Sequence, residues 1–260
     1  MTNLTFEYDL LVIGGGSGGL AAAKEAASFG KKVALFDFVK PSTQGSQWGL
    51  GGTCVNVGCV PKKLMHYSAL ISSCIRHDAP KFGLNVSVDF SWDKLVETVR
   101  NHIRMLNFVY RTGLRVANVE YINALAKLAG PHSVEYTVGG ETKVVTSRYI
   151  LLATGGRPNV PQSVPGAIQF AITSDDIFSL SKSPGRTLIV GSSYIGLETA
   201  GFLNELGFDT TVSMRSIPLR GFDRQCSNKI VDYMKSVGTK FLTGVIPTAI
   251  EKDGQKLTVT

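Results

Sequence analysis

Cysteine is scarce in this chain, with 4 in 260 residues. That excludes a small secreted scaffold stapled by disulfides, which is short and cysteine-dense. No apolar run reaches the roughly 20 residues that cross a bilayer as a helix. The N-terminal stretch MTNLTFEYDLLVIGGG lacks a basic n-region and a cleavage site, so it reads as a buried strand entering glycines rather than a signal peptide or membrane span. Histidine is also rare, at 4, and none stands at zinc spacing with a cysteine. The 28 glycines follow no short period, which excludes collagen-like and low-complexity chains. The formal net charge is +7, but the basic residues are spread out, the densest clusters being pairs such as Lys31-Lys32 and Lys62-Lys63. With no arginine-striped helix and no recognition module, a nucleic-acid partner is not expected. Two neighbouring cysteines in such a chain suggest redox or metal chemistry, not stapling, in a reducing, cytoplasmic compartment.

What is present is a repeated strand–helix–strand unit. The apolar run Leu10 to Ile13 enters Gly14-Gly15-Gly16-Ser17-Gly18-Gly19, a helical pattern follows and closes at Gly30, and Lys32 to Asp37 reads as a second strand. Thr187 to Val190 repeats this 177 positions on, entering Gly191-Ser192-Ser193-Tyr194-Ile195-Gly196, with a helix to about Leu206 and a strand over Asp209 to Met214. Between the repeats, residues 41–53 read as a loop and Pro61 to about His77 as a helix. Ser91 is a candidate N-cap for a long amphipathic helix to about Arg115, with Leu95, Val99, Ile103 and Leu106 on its apolar face. Val119 to Ala129, His132 to Val138 and Lys143 to Ser147 alternate like three strands of an antiparallel meander, and Tyr149 to Ala153 reads as a separate buried strand entering Thr154-Gly155-Gly156. The proline-rich stretch 156–166 marks a domain crossing.

Gly14-x-Gly16-x-x-Gly19 has the dinucleotide-binding spacing, in which glycines allow a tight turn, a close approach of backbone to pyrophosphate, and helix-on-strand packing. Asp37, 18 residues after Gly19 at the end of the second strand, stands where a carboxylate accepts hydrogen bonds from an adenosine ribose. The second site departs from the pattern, with Ser193 in place of the central glycine. Its second strand ends without an acid; Arg215 follows instead, with Arg220 five residues further on. Two guanidiniums there suit a 2′-phosphate and hence NADPH; ordinary surface arginines are the alternative. Cys54-Val-Asn-Val-Gly-Cys59 follows Gly51-Gly52-Thr53 and precedes Pro61-Lys62-Lys63. Cys59 opens a predicted helix with Lys62 nearby, and both favour negative charge on sulfur, as thiol–disulfide exchange requires. Two inert thiols are the alternative.

The segment WGLGGTCVNVGCVPKKLMH, Trp48 to His66, resembles the redox-active segment of the large pyridine nucleotide-disulfide oxidoreductases. Trp48-Gly49, His66, Ile172-Thr173-Ser174-Asp175-Asp176 and Arg215 to Asp223 are most similar to the animal-type thioredoxin reductase branch. Glutathione reductase is the runner-up, and a non-catalytic fragment is the alternative outside the enzyme class. The resemblance implies an α/β fold with two Rossmann-like dinucleotide-binding domains of the FAD/NAD(P) type and a small antiparallel β-meander. It places an FAD-binding domain over residues 1–157 and an NADPH-binding domain over 158–260. It also implies that such chains continue for more than 200 residues, so that this one stops before the dimer-interface domain.

The same resemblance implies roles. Gly14, Gly16, Ser17, Gly18, Gly19, Asp37, Phe38, Gly52, Thr53, Cys54, Cys59, Lys62, Lys63, Thr154 and Gly155 match the flavin side. Cys59 matches the sulfur beside the flavin and Cys54 the interchange thiol. Lys62 and Glu198 match an ion pair near flavin and nicotinamide, and Tyr194 a ring that covers the flavin until NADPH arrives. Gly191, Ser192, Ser193, Ile195, Gly196, Arg215, Ser216, Arg220, Gly221 and Phe222 match NADPH contacts. Thioredoxin is the implied acceptor and a homodimer the implied assembly. Asn159 stands where relatives carry an arginine near NADPH, and Ala126 replaces a usual glycine. The histidines, His66 included, are expected to be structural or surface residues.

Overall fold

The computed structural model describes residues 5–260; Met1–Leu4, where the stretch read as strand rather than signal begins, lie outside the described residues. The chain divides into two compact units. The first runs to Val60 and resumes over Asn101–Pro158, and the second comprises Pro61–Arg100 and Asn159–Thr260. The sequence boundary at 157/158 assigned residues 61–100 to the first domain, whereas their contacts group them with the second unit. Trp92 shows why: its indole Nε1 donates to the Leu180 carbonyl at 3.0 Å and its ring meets Phe208 edge-on at 5.7 Å.

In chain order the elements are β1 (Tyr8–Ile13), α1 (Ser17–Ser28), β2 (Val33–Asp37), α2 (Gly52–Val57) and α3 (Cys59–Ser73). A π-helical turn (Cys74–Asp78) and a 3-10 turn (Ala79–Phe82) precede α4 (Trp92–Val116). Then come β3 (Val119–Asn123), β4 (Ala126–Gly130), β5 (Ser133–Val138), β6 (Glu141–Leu152), α5 (Ala167–Phe170) and α6 (Ser174–Ile177). The second repeat is β7 (Thr187–Val190), α7 (Tyr194–Glu205) and β8 (Thr210–Met214), followed by α8 (Arg224–Ser236), β9 (Lys240–Thr243) and the pair β10 (Ile250–Asp253) and β11 (Lys256–Val259).

The first unit is built on a six-stranded sheet in the order β3-β2-β1-β6-β5-β4. β1 pairs parallel with β2 and β6, and β2 parallel with β3. The alternating residues of β1 and β2 feed two cores. Val12, Val33 and Leu35 pack with Leu20 and Ala23 of α1 and Leu114 of α4, while Leu11, Ile13, Ala34 and Phe36 pack with Val134 and Val145 of the meander. Burial on both faces is why β1 is apolar from Leu10 to Ile13 and β2 from Val33 to Phe36. Each fully buried Leu, Val or Phe contributes roughly 1.5–3 kcal/mol.

Two strand readings from the sequence change here. Val119 to Ala129 is not one meander strand but two, β3 and β4, which stand at opposite ends of the strand order though only Ala124-Leu125 separate them. Such a short connection requires the sheet to curl, so that the meander folds over one face of the parallel strands. Conversely, Lys143 to Ser147 and Tyr149 to Ala153 merge into β6, which pairs antiparallel with β5 in its first half and parallel with β1 in its second. Ser147, where β6 changes partner, is fully buried, and its hydroxyl donates to the Tyr149 carbonyl at 2.7 Å, which satisfies it within the strand.

α4 starts as expected, the Ser91 hydroxyl accepting from the Lys94 N–H at 3.2 Å. Its buried stripe runs through Trp92, Val96, Val99 and Ile103, whereas Leu95 and Leu106 are only half-buried. In the second unit β7, β8 and β9 form a parallel sheet. Leu197 and Ala200 of α7 pack on Val212, Leu219 and Met234.

Candidate functional site

In the first unit the glycine loop is shaped by backbone approaches that only glycine permits. Gly14 has φ +114°, and a Cβ there would stand 2.1 Å from the Ala153 carbonyl oxygen, beside the expected Thr154-Gly155. A Cβ on Gly19 would stand 1.8 Å from the Gly14 carbonyl oxygen. The third glycine of the spacing therefore closes the turn against the first. Gly18 is different, since a Cβ there would meet nothing within 4 Å. Its small size serves no contact within the protein. α1 begins at Ser17 with Gly16 as N-cap and no side-chain cap, so the first-turn N–H groups carry the helix's partial positive charge toward Ser17 and Gly18, which are exposed.

Asp37 closes β2 and accepts a hydrogen bond from the Gly15 N–H at 2.9 Å. Burial pushes its carboxyl above the usual carboxylate range, against the lowering pull of the Gly15 and Phe38 backbone N–H groups. Phe38 follows and is exposed.

Reading the sequence missed how the cysteine segment is attached to this loop. Gly15 filled an unspecified position of the spacing, yet a Cβ there would meet the Leu50 side chain at 2.4 Å and the Asp37 carboxyl carbon at 2.8 Å. The Gly51 N–H donates to the Gly15 carbonyl at 3.0 Å. Gly52, at φ +71°, brings its backbone so near that a Cβ would lie 2.6 Å from Gly16 Cα. The helix α2, expected as part of a loop up to residue 53, thus starts on the nucleotide loop itself and carries Thr53 and Cys54. Two asparagines lock it there. Asn107 Nδ2 donates to the Leu50 carbonyl at 2.6 Å and to Asn56 Oδ1 at 2.9 Å, while Asn56 Nδ2 donates to the Gly49 and Gly52 carbonyls at 3.1 and 2.8 Å. Asn56, between the cysteines and 3% exposed, was the available signal: an amide inside an apolar stretch requires partners.

Cys54 is half-buried within α2 and Cys59, the first residue of α3, is exposed. Gly58 links the two helices, and a Cβ on it would meet the Thr53 carbonyl oxygen at 2.9 Å and Cys54 Cα at 3.2 Å. The residue next to Cys59 is thereby folded back on the backbone of Cys54.

The second unit repeats the loop in looser form. Gly191 has φ +103°, and a Cβ on Gly196 would stand 2.4 Å from the Gly191 carbonyl oxygen, the same closure as Gly19 on Gly14. Ser193 takes the N-cap position of α7, with Tyr194 and Ile195 exposed behind it. The segment after β8 is tied back to this loop, the Leu219 N–H donating to the Ser192 carbonyl at 2.9 Å. Arg220 donates to the Ser216 hydroxyl at 2.8 Å, and Arg215, Gly221 and Phe222 are exposed beside them. Arg224, absent from the sequence expectations, organises this turn by donating to the carbonyls of Pro218, Leu219 and Phe222. Lys62 and Glu198, also in the second unit, form an ion pair at 2.7 Å with side chains 27% and 34% exposed; Lys63 is exposed. Among the described residues no helix is long and apolar enough to cross a membrane.

A family model described as pyridine nucleotide-disulphide oxidoreductase matches residues 8–260. The chain is 54% identical over 259 residues to a thioredoxin reductase of Plasmodium falciparum (isolate FCH-5), covering 98% of this chain and 48% of that protein. It is 54% identical over 247 residues to thioredoxin reductase SEP1 of Emiliania huxleyi, covering 94% and 50%. It is 51% identical over 259 residues to the mitochondrial thioredoxin reductase 2 of Drosophila melanogaster, covering 97% and 50%. The chain spans about half the length of these relatives. With the match running from β1 through β11, the chain belongs to the pyridine nucleotide-disulphide oxidoreductase family.

Proposed function

We propose that this chain is the cofactor-binding part of a flavoprotein disulfide reductase. Its first unit binds FAD, its second binds NADPH, and Cys54 and Cys59 alternate between a disulfide and two thiols. The net change is balanced: NADPH, a proton and the disulfide give NADP⁺ and two thiols. Flavin, when bound, supplies the two-electron relay between nicotinamide and sulfur. The residues present fit it, with Gly18 open for phosphate, α1 offering N–H groups, and the Asp37 carboxylate placed for ribose hydroxyls. Cys54 then attacks the disulfide of an acceptor, for which we propose thioredoxin, in a homodimer of a reducing compartment, cytoplasmic by preference. The observation that carries the reading is the Gly52–Gly16 approach, because it makes the cysteine helix an extension of a dinucleotide loop.

FAD titration of the 260-residue chain, followed by flavin fluorescence, tests this. Asp37 must be ionised to accept from two hydroxyls. Affinity is therefore expected to hold at neutral pH and to fall as pH drops through the Asp37 pKa, starting above the ordinary carboxylate value of about 3.9 because burial raises it. The sign for stability is opposite. The raised folded-state pKa means that the nucleotide-free fold gains stability as pH falls through that range. Asp37→Asn is expected to weaken FAD by roughly 10- to 100-fold at pH 7, the worth of about one charged hydrogen bond, and to flatten the pH profile. Absence of FAD binding, or a pH-independent affinity in the unsubstituted chain, would count against the reading.

A further inference from the structure

The turn that follows β8 is gathered by one side chain. Arg224 is the first residue of α8, behind the N-cap Asp223. The helix dipole disfavours a cation at that end, so helix preference does not account for it. Its partners do. Nη1 donates to the Pro218 carbonyl at 2.8 Å, Nη2 to the Leu219 carbonyl and to the Phe222 carbonyl at 2.9 Å, and Nε to the Phe222 carbonyl at 3.2 Å. Nη2 also lies 3.1 Å from the hydroxyl of buried Ser227, which donates in turn to the Asp223 carbonyl at 2.6 Å. One planar guanidinium thus spans three carbonyls of the Pro218–Phe222 turn, which its fixed fork of donors permits.

Within that turn Leu219 takes φ +45°. A bulky residue seldom adopts this left-handed backbone, and such strain persists only where the surroundings over-determine it. Leu219 is held at its side chain, its N–H and its carbonyl. The side chain is buried in the core of Leu197, Val212 and Met234. The N–H donates to the Ser192 carbonyl of the nucleotide loop at 2.9 Å, and the carbonyl accepts from the Phe222 N–H at 3.0 Å as well as from Arg224. The reversal brings the next residue, Arg220, back to the end of β8, where its Nη2 donates to the Ser216 hydroxyl at 2.8 Å. Arg215, Ser216 and Arg220 are all exposed there.

We infer that Arg224 determines nucleotide choice as a positioning residue, by fixing the turn from which Arg220 reaches Ser216 and so presenting Arg220 to a 2′-phosphate. The inference rests on the NADPH reading of this loop and adds a residue to it. Arg224 acts through its fork and not through its charge. Without the fork, Leu219 keeps its core contacts and its bond to Ser192, so the unit stays folded, but the main chain that carries Arg220 is no longer fixed.

The test is calorimetric titration of the 260-residue chain with NADPH and with NADH. Arg224→Gln is expected to weaken NADPH about 10-fold, the share of one charge-assisted hydrogen bond, and NADH by no more than about twofold. Arg224→Lys retains the charge but offers a point donor that cannot span the three carbonyls. It is expected to lose about as much, and it serves if Arg224→Gln fails to fold. In an Arg220→Ala background, Arg224→Gln is expected to weaken NADPH by no more than about twofold further, because the group it positions is gone. A preference for NADPH that is retained in Arg224→Gln, restored by Arg224→Lys, or lost additively with Arg220→Ala would overturn the inference. Equal losses of NADPH and NADH would overturn it as well. Failure of the underlying reading looks different, since the unsubstituted chain would then show no preference for NADPH.

Discussion

Replacing Gly19 by alanine is expected to lower the unfolding free energy by about 3 kcal/mol or more and to abolish FAD binding. The added methyl would stand 1.8 Å from the Gly14 carbonyl oxygen and 3.1 Å from Val12 Cγ1. Neither can retreat. Gly14 is itself pressed on Ala153 and its N–H donates to the Phe36 carbonyl at 2.7 Å, while Val12 is fully buried against Leu20 and Ala23. Relief requires lifting α1 off the sheet, which exposes that core. Gly18→Ala, one position away, is the control. Its methyl meets no protein atom within 4 Å, so stability is expected to change by no more than about 1 kcal/mol, in the stabilising direction because alanine favours a helix. Its effect falls on the ligand instead, as a weaker FAD complex. Urea unfolding of the two variants separates a glycine required by the fold from a glycine kept for a phosphate.

The second large effect concerns nucleotide choice. Replacing both Arg215 and Arg220 by alanine is expected to weaken NADPH by about 100-fold or more and NADH by no more than about twofold. Each charge-assisted hydrogen bond to the 2′-phosphate contributes roughly 1.5–3 kcal/mol, and NADH carries no such phosphate. Both arginines are exposed, so removal costs little folding energy. The turn bearing them is held by Arg224 and by the Leu219–Ser192 bond, neither of which the substitution touches. Calorimetric titration with the two nucleotides checks this. Equal losses would mean that the arginines serve the shared pyrophosphate rather than the 2′-phosphate.

The repeated strand–helix–strand units were legible because glycine spacing, strand length and the residue closing each second strand are local features. Ser91 and Gly30 were read correctly for the same reason, one as a cap and the other as a left-handed turn at φ +72°. What escaped depends on distant partners. Val119 to Ala129 alternates evenly, and nothing local says that β3 pairs with β2 while β4 turns away to β5. Gly15 looked like filler because its constraint is Leu50, 35 positions on, and Asn107 looked like any polar residue on an amphipathic helix. His66 was read as a structural or surface residue; it is half-buried, edge-on to Phe202 of α7, a partner 136 positions away. Helix α8 with its Asp223 cap, and β9 after it, were not read at all, though Asp223 accepting from the Cys226 N–H at 2.8 Å is a local signal.

The central claim is that Cys54 and Cys59 are the electron acceptors of a flavin fed by NADPH. The measurement that tests it most directly is mass-resolved alkylation of the FAD-loaded, oxidised chain under anaerobic conditions. NADPH is expected to add two alkyl groups to the segment holding Cys54 and Cys59. Cys74 and Cys226, both exposed and outside that segment, are expected to label equally with and without it. Labelling of Cys54 and Cys59 that is the same whether or not NADPH is added would contradict the account.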